Sequence, residues 1–366
     1  MRKLTIYTLA NNLLAVPPTK TNVPDGYSGS PQQITHTISE GLVKRGHKVT
    51  LFASGDSKTS GKLFPTSKMA LWKDPAVKFG SGHSQHFPYQ LLGIAQCYRE
   101  AKRNENKVDI IHSHFLLPNP LFSSLVNLPT VCTLHNPMNG LWSASQTILR
   151  TLKDNVFYVS ISDAQRVNFP DLNYSKTIHH GVDTNKIKFS PKTGDFLIVV
   201  GRIHAQKGIA TAIKAAKKVN LPLHIYGSHE DNDYWHKQVK PFIDNKNVIY
   251  KDFVPKEVIY REIRHARALL FPIDVDEAFG LAMIEAMASG TPVIAFRRGS
   301  VEEVVEDGKT GYVVDNLSEM VQAIKNIDQI DRKDCRTSVE NKFSLEKMID
   351  SYEQHFYDLA KKYKKL

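Results

Sequence analysis

Short apolar runs alternate along the whole chain with stretches of helical periodicity, and this rhythm restricts the fold more than any other feature. Leu4 to Ala10, Lys48 to Ala53, Val108 to His112, Thr130 to His135 and Val156 to Ile161 read as buried strands of one sheet. Helical stretches such as Ser30 to Arg45 and Gln90 to Arg103 separate them. Asp195 to Val200, Leu223 to Tyr226, Val248 to Tyr250, Ala268 to Phe271, Pro292 to Ala295 and Gly311 to Val314 form a second set. Strands covered by helices on both faces read as near-continuous apolar runs, as these do, and belong to parallel sheets. The chain has 366 residues. A single core usually divides beyond ~250–300 residues, so two α/β domains are expected. The join falls after Gly181-Val-Asp183, in the polar segment Thr184 to Gly194.

The second set carries two loops with chemistry. Asp195 to Val200 runs into the turn Gly201-Arg-Ile-His-Ala-Gln-Lys-Gly208, and Ile209 to Val219 then has helical spacing. Arg202 and Lys207 therefore stand at the carboxyl end of a strand, where open α/β sheets bind ligands. A forked guanidinium and a point-charge ammonium together suit a diphosphate. The loop is not a Walker A motif, because neither Ser nor Thr follows Lys207. Further on, Glu277 and Glu285 frame Phe279-Gly280-Leu281. Leu281 to Ala288 is rich in helix formers and is followed by Ser289-Gly290, so Glu277 precedes a helix and Glu285 lies within it. The N–H groups of Gly280, Leu281 and Ala282 at that helix start suit a phosphate. Carboxylates, as acceptors only, suit sugar hydroxyls. Taken alone, the pair of glutamates fits equally well a helix with one exposed and one partly buried acid.

Together these residues resemble the family-4 retaining glycosyltransferases of the GT-B fold. In that family a Gly-Arg-x4-Lys-Gly loop precedes a Glu-x7-Glu segment, and here Arg202 and Lys207 precede Glu277 and Glu285 in the same order. Gly290-Thr-Pro-Val-Ile294 and Asp307-Gly-Lys-Thr-Gly-Tyr312 extend the likeness downstream. Upstream, Gly26-Tyr-Ser-Gly29, Asp109-Ile-Ile-His-Ser-His114, Thr133-Leu-His135 and Val159-Ser-Ile-Ser162 fall in the family's order. Ser28 stands where a second adjacent glycine is common, and His180 where asparagine is usual.

The resemblance implies two Rossmann-like, doubly wound parallel-sheet domains facing a central cleft. It places an acceptor-side domain at 1–183, a nucleotide-sugar domain at 184–344 and a terminal helix at 345–366 that crosses back to the first domain. It implies transfer of a sugar from a nucleoside-diphosphate sugar to a glycan, lipid or small-molecule acceptor, with retention and without an essential metal or other cofactor. Arg202, Lys207 and the amides after Gly280 would hold the diphosphate, with Gly29 in the glycine-rich first loop against it. Glu277 would hold the sugar and Glu285 the ribose. His135 matches the family histidine beside the anomeric carbon, and His114 falls on the acceptor side. The alternatives are an epimerase or hydrolase of nucleotide sugars on the same fold, or a non-catalytic nucleotide-sugar sensor.

Composition excludes other classes. The net charge of +11 suits nucleic acid, anionic membrane or a small anion, but no basic stripe interleaved with aromatics marks a nucleic-acid reader. Cys97, Cys132 and Cys335 are scattered, which fits a reducing compartment and no disulfide framework. With neither a signal peptide nor a run of ~18 apolar residues, a cytoplasmic protein is expected. The Lys361-Lys-Tyr-Lys-Lys365 cluster is compatible with peripheral contact at an anionic membrane face. His112 and His114 have the His-x-His spacing of a metal pair, but such a site would need further ligands at later strand ends and a barrel rhythm without a domain break. Asp274-Val-Asp276 reads as a solvated loop, and Gly80-Ser-Gly82 lacks the third glycine of a dinucleotide fingerprint.

Overall fold

The computed structural model describes residues 2–18, 29–77, 86–139, 141, 143–152, 154, 156–229 and 232–364. Gly26 to Ser28 of the first loop, Gly80 to Gly82 and Lys365 lie outside the described residues.

The first sheet comprises β1 (Thr5–Leu9), β2 (Lys48–Ser54), β3 (Lys62–Ser67), β4 (Ile110–Ser113), β5 (Thr130–Thr133), β6 (Phe157–Ser160) and β7 (Tyr174–Thr177), in the order β3-β2-β1-β4-β5-β6-β7. The second comprises β8 (Leu197–Val200), β9 (Leu223–Tyr226), β10 (Val248–Tyr250), β11 (Ala268–Phe271), β12 (Val293–Phe296) and β13 (Gly311–Val314), in the order β10-β9-β8-β11-β12-β13. Every pairing in both sheets is parallel. The strand order reverses between β1 and β4 and again between β8 and β11, so each domain has one switch point at which open sheets form a crevice.

The six strands expected in the second set are all present. In the first, the apolar runs mark five strands and the sheet has seven, because β3 and β7 form its two edges. Edge strands bury little: no residue of β7 is fully buried, and β3 accommodates Pro65. The helices Ile209–Val219 and Leu281–Ala288 have the expected limits, and the helix expected from Gln90 starts one turn earlier, at His86.

Alternation along β1 divides the first core. Leu4 and Ile6 face one layer with Ile34, Ile38 and Leu42 of the helix Ser30–Lys44, whereas Tyr7 and Leu9 face the other with Ile94 and Tyr98. The last helix, Leu345–Lys364, belongs to the first of these layers. Its Met348, Ile349, Tyr352 and Phe356 are buried there among residues of β1, β4 and β5. Gly41 makes the approach possible, since a Cβ at that position would come within 2.7 Å of Ile349 Cδ1. Polar contacts fix the register: Tyr352 Oη lies 3.0 Å from Thr133 Oγ1, and Glu353 pairs with Arg45 at 2.6 Å and His47 at 2.7 Å. The chain thus crosses between the sheets twice at one place, where Val182 N–H donates to the Phe343 carbonyl and Leu345 N–H to that of Val182.

Candidate functional site: the cleft between the two sheets

The carboxyl ends of the switch-point strands converge. After β8 the chain makes the Gly201 to Gly208 loop, after β11 the loop to Gly280, after β5 the turn at His135, and after β4 the turn at His114. A cleft of about 330 Å³ is lined from the first domain by Ser30, Pro31, Ile34, His135, Asn136, Pro137, Ile161 and His180. The second domain contributes Arg202, Gln206, Lys207, Glu277 and the segment Ala278 to Ala282, among others.

The two loops of the second domain are zipped together. Asp274 N–H donates to the Gln206 carbonyl at 2.9 Å, and Lys207 Nζ donates to a carboxylate oxygen of Glu277. Gly208 permits this closeness. It is left-handed at φ 66, and a Cβ there would stand 1.8 Å from the Pro272 carbonyl oxygen. The Glu277 loop is held from behind by Ser300, whose N–H donates to the Glu277 carbonyl and whose Oγ donates to that of Phe279, each at 3.0 Å.

Gly280, at φ 82, turns the chain into the helix Leu281–Ala288, whose first turn is capped by no side chain. Its amides are therefore available to an anion, in the field of the helix N-terminus. Gly29 has the same left-handed conformation, φ 62, and starts the helix Ser30–Lys44. It is not itself in the cleft wall, although Ser30 and Pro31 are.

Two of the expected site residues lie behind the wall. Glu285 is buried and accepts from Lys256 Nζ at 2.6 Å and Tyr260 Oη at 3.3 Å. His114 is buried behind His135, its Nδ1 2.7 Å from His135 Nε2. With His112 and His180 they form a run of imidazoles, centroid to centroid 4.4 Å, 5.0 Å and 5.9 Å along the series His112, His114, His135, His180. Burial pushes all four down, His112 to about 3 and His135 to about 4, with the neighbouring rings adding to the shift for His112, His114 and His180. All four are neutral near pH 7.

Asp274 and Asp276 are exposed, and among the described residues no group of three His, Cys, Asp or Glu is disposed to hold a metal. The three cysteines are buried free thiols, those of Cys132 and Cys335 pushed up to about 12 chiefly by burial. Among the described residues no helix is long and apolar enough to cross a membrane.

Other residues that order the cleft carry no motif. Glu303 accepts from the amides of Asp163 at 2.8 Å and Ala164 at 2.7 Å and pairs with His179 at 3.1 Å, so one carboxylate of the second domain grips the first. Burial alone would raise its pKa, and the hydrogen bonds from His179 and the two amides bring it below the usual carboxylate range. Arg336 donates to the carbonyls of Thr184, Ile187 and Ala288, tying the linker to the helix that starts at Leu281.

Two parallel-sheet domains facing each other across a cleft, the second presenting a cation-bearing loop and a helix N-terminus to it, have the architecture of a GT-B glycosyltransferase. Residues 183–341 match the family model "Glycosyl transferases group 1", and residues 32–188 match "Glycosyltransferase Family 4". The chain belongs to this glycosyltransferase family, and it is an enzyme of that class. It is 25% identical over 365 residues to N-acetyl-alpha-D-glucosaminyl L-malate synthase of Bacillus anthracis, covering 88% of this chain and 92% of that one. It is 24% identical over 324 residues to glycogen synthase of Mycobacterium tuberculosis, covering 75% and 76%. Among solved structures, sucrose-phosphate synthase of Thermosynechococcus elongatus has the same fold, with a TM-score of 0.78 at 16% identity over 98% of this chain and 99% of that one. Anabaena HepE in complex with UDP gives 0.73 at 17%, over 97% and 100%.

Proposed function

We propose that this enzyme binds a nucleoside-diphosphate sugar across the cleft and transfers the sugar with retention of configuration to a glycan, lipid or small-molecule acceptor. The observation that carries the reading is the shared wall: His135 from one domain and Arg202, Lys207, Glu277 and the start of the helix Leu281–Ala288 from the other. Arg202, Lys207 and the amides of Gly280, Leu281 and Ala282 stabilise the charge that develops on the leaving diphosphate. Glu277 holds sugar hydroxyls and His135 lies beside the anomeric carbon. Glu285 reaches the ribose when Lys256 and Tyr260 release or share it.

In the transfer, the bond from the anomeric carbon to the β-phosphate oxygen breaks with its electron pair going to the phosphate. The acceptor oxygen bonds to the same face of that carbon, and its proton passes to the departing phosphate oxygen. Glu277 is the one carboxylate in the cleft wall among the described residues, and Lys207 already engages it. This favours front-face displacement over a covalent sugar–carboxylate intermediate.

Lys207, Arg202 and the helix dipole offset the diphosphate charge, so no metal is required. The reading places the enzyme in the cytoplasm, with peripheral contact at an anionic membrane face through the lysines of the terminal helix. The test is turnover with a panel of UDP-, GDP- and ADP-sugars, UDP-sugars first because HepE has been solved with UDP-glucose. Activity should survive saturating chelator. Total loss restored by manganese would overturn metal independence, and release of free sugar or an epimer without transfer would overturn the proposed reaction.

A further inference from the structure

His135 and His114 meet through ring nitrogens, and that contact has only two chemical solutions. A neutral imidazole carries one N–H and one lone pair. Across the 2.7 Å between His114 Nδ1 and His135 Nε2, one ring must donate and the other accept. If His135 donated, Nδ1 of His114 would be the acceptor, and the single proton of His114 would sit on its Nε2. That atom is buried and has no hydrogen-bond partner. The titratable groups that act on His114 are the imidazoles of His112, His135 and His180, with no carboxylate among them. His135 as donor therefore requires an orphaned N–H inside the protein. If His114 donates instead, what remains at Nε2 is a bare lone pair. Buried N–H groups without an acceptor are much rarer than under-used acceptors, so the second solution wins.

The backbone keeps His114 in place for this. Its N–H donates to the Leu9 carbonyl at 3.0 Å, which locks the residue after β4 against β1. His135 is then protonated at Nδ1. That nitrogen has no hydrogen-bond partner among the described residues, and the ring lines the cleft.

We propose that His114 is a positioning residue that donates Nδ1–H to His135 and thereby fixes His135 as the Nδ1–H tautomer, presenting the cleft with a hydrogen-bond donor. His135 so held grips an oxygen of the bound sugar and cannot act as a general base. The role of His135 toward the sugar rests on the reading of the cleft as a nucleotide-sugar site, whereas its tautomer does not.

The experiment uses the full-length protein with 15N-labelled histidine, in which ring 15N shifts and couplings distinguish Nδ1–H from Nε2–H without any ligand. The His135 signal is assigned by its loss in His135→Asn. Two variants of His114 bracket the role. His114→Asn puts an amide N–H near the position of Nδ1 and should leave His135 protonated at Nδ1, with kcat within about threefold of wild type. His114→Asp offers only acceptors, so Nε2 of His135 must carry a proton, and measured above the pKa of its imidazolium, which the ring 15N shifts report, His135 is the Nε2–H tautomer. kcat should then fall at least about tenfold while UDP affinity stays unchanged, the pattern of a contact made to the sugar.

A wild-type His135 protonated at Nε2 overturns the proposal, and so does a flipped tautomer in His114→Asp with full kcat. Should His114→Asp fail to fold, the wild-type spectrum and His114→Asn decide. If no nucleotide sugar is turned over, the functional reading of the cleft fails, and the ligand-free spectrum still decides the tautomer.

Discussion

Glu277→Gln should tighten the binding of free nucleoside diphosphate while it lowers turnover. From the sequence alone this substitution is expected to leave diphosphate affinity almost untouched, because Glu277 is assigned to the sugar. The structure alters that expectation, since Lys207 Nζ donates to the Glu277 carboxylate in the free protein. A phosphate that takes the ammonium must compete with this bond. A hydrogen bond to a charged group contributes ~1.5–3 kcal/mol. The two side chains are 24% and 19% exposed, so water and salt reduce the figure. About 1–2 kcal/mol is left, equivalent to roughly 5–30-fold in the dissociation constant.

Calorimetry with UDP on wild type and Glu277→Gln, at low and high salt, measures the gain, which should shrink as salt rises. Steady-state rates should show the loss of turnover. A double-mutant cycle with Lys207→Ala isolates the cause, because the gain must vanish once Lys207 is absent. Unchanged or weakened UDP affinity in Glu277→Gln would refute the competition, as would a gain that persists in the Lys207→Ala background.

Gly280→Ala should cost about 1–3 kcal/mol in stability and weaken UDP binding, since φ 82 strains any side chain and a Cβ would meet Met283 Cε at 2.6 Å; a chemical-denaturation midpoint and calorimetry check both. Glu285→Gln keeps the shape but not the charge that engages Lys256, so UDP and the full donor should lose affinity alike; loss confined to the full donor would contradict a ribose contact. His112, His114 and His180 have folded-state pKa values pushed below the usual histidine range by burial. Below pH ~6.5 the unfolded chain takes up protons that the fold excludes, so stability should fall with pH by up to ~1.4 kcal/mol per unit for each of the three. Urea midpoints at pH 7 and 5.5 measure this, and equal midpoints would contradict it.

The parts of this molecule that were legible in the chain are those whose physics is local. A strand buried on both faces must be apolar throughout, so β8 and β11 are visible as Leu197 to Val200 and Ala268 to Phe271. Edge strands β3 and β7 face water on much of their surface, and Lys62 or Lys176 in such a strand looks like any polar loop residue. The Arg202, Lys207 and Glu277 loops are legible because their charged side chains stand at fixed offsets from a strand end or helix start. Glu303 and Arg336 are not, since their partners are mostly backbone N–H and carbonyl groups, which leave no mark in the sequence. The sequence likewise brings His114 and Glu285 near the site without telling that both lie behind the cleft wall. That is decided by His135 and Lys256, which reach them only through the tertiary fold.

The pairing of Lys207 with Glu277 also orders the proposed events. In the free protein the cleft wall carries the charges of Arg202 and Lys207 against that of Glu277, and its histidines are neutral. A diphosphate brings more negative charge than a single carboxylate and meets Arg202 and the helix amides as well, so it outcompetes Glu277 for the ammonium. The carboxylate it releases stands beside the place where the attached sugar must lie. Part of the diphosphate binding energy is thus converted into a free acceptor for sugar hydroxyls, available only while the diphosphate is bound. A free monosaccharide has no means of displacing Lys207 and should bind the empty cleft far more weakly than it binds the cleft already holding UDP. Titrating glucose with and without saturating UDP tests that order, and equal affinities would show that Glu277 is already free when the sugar arrives.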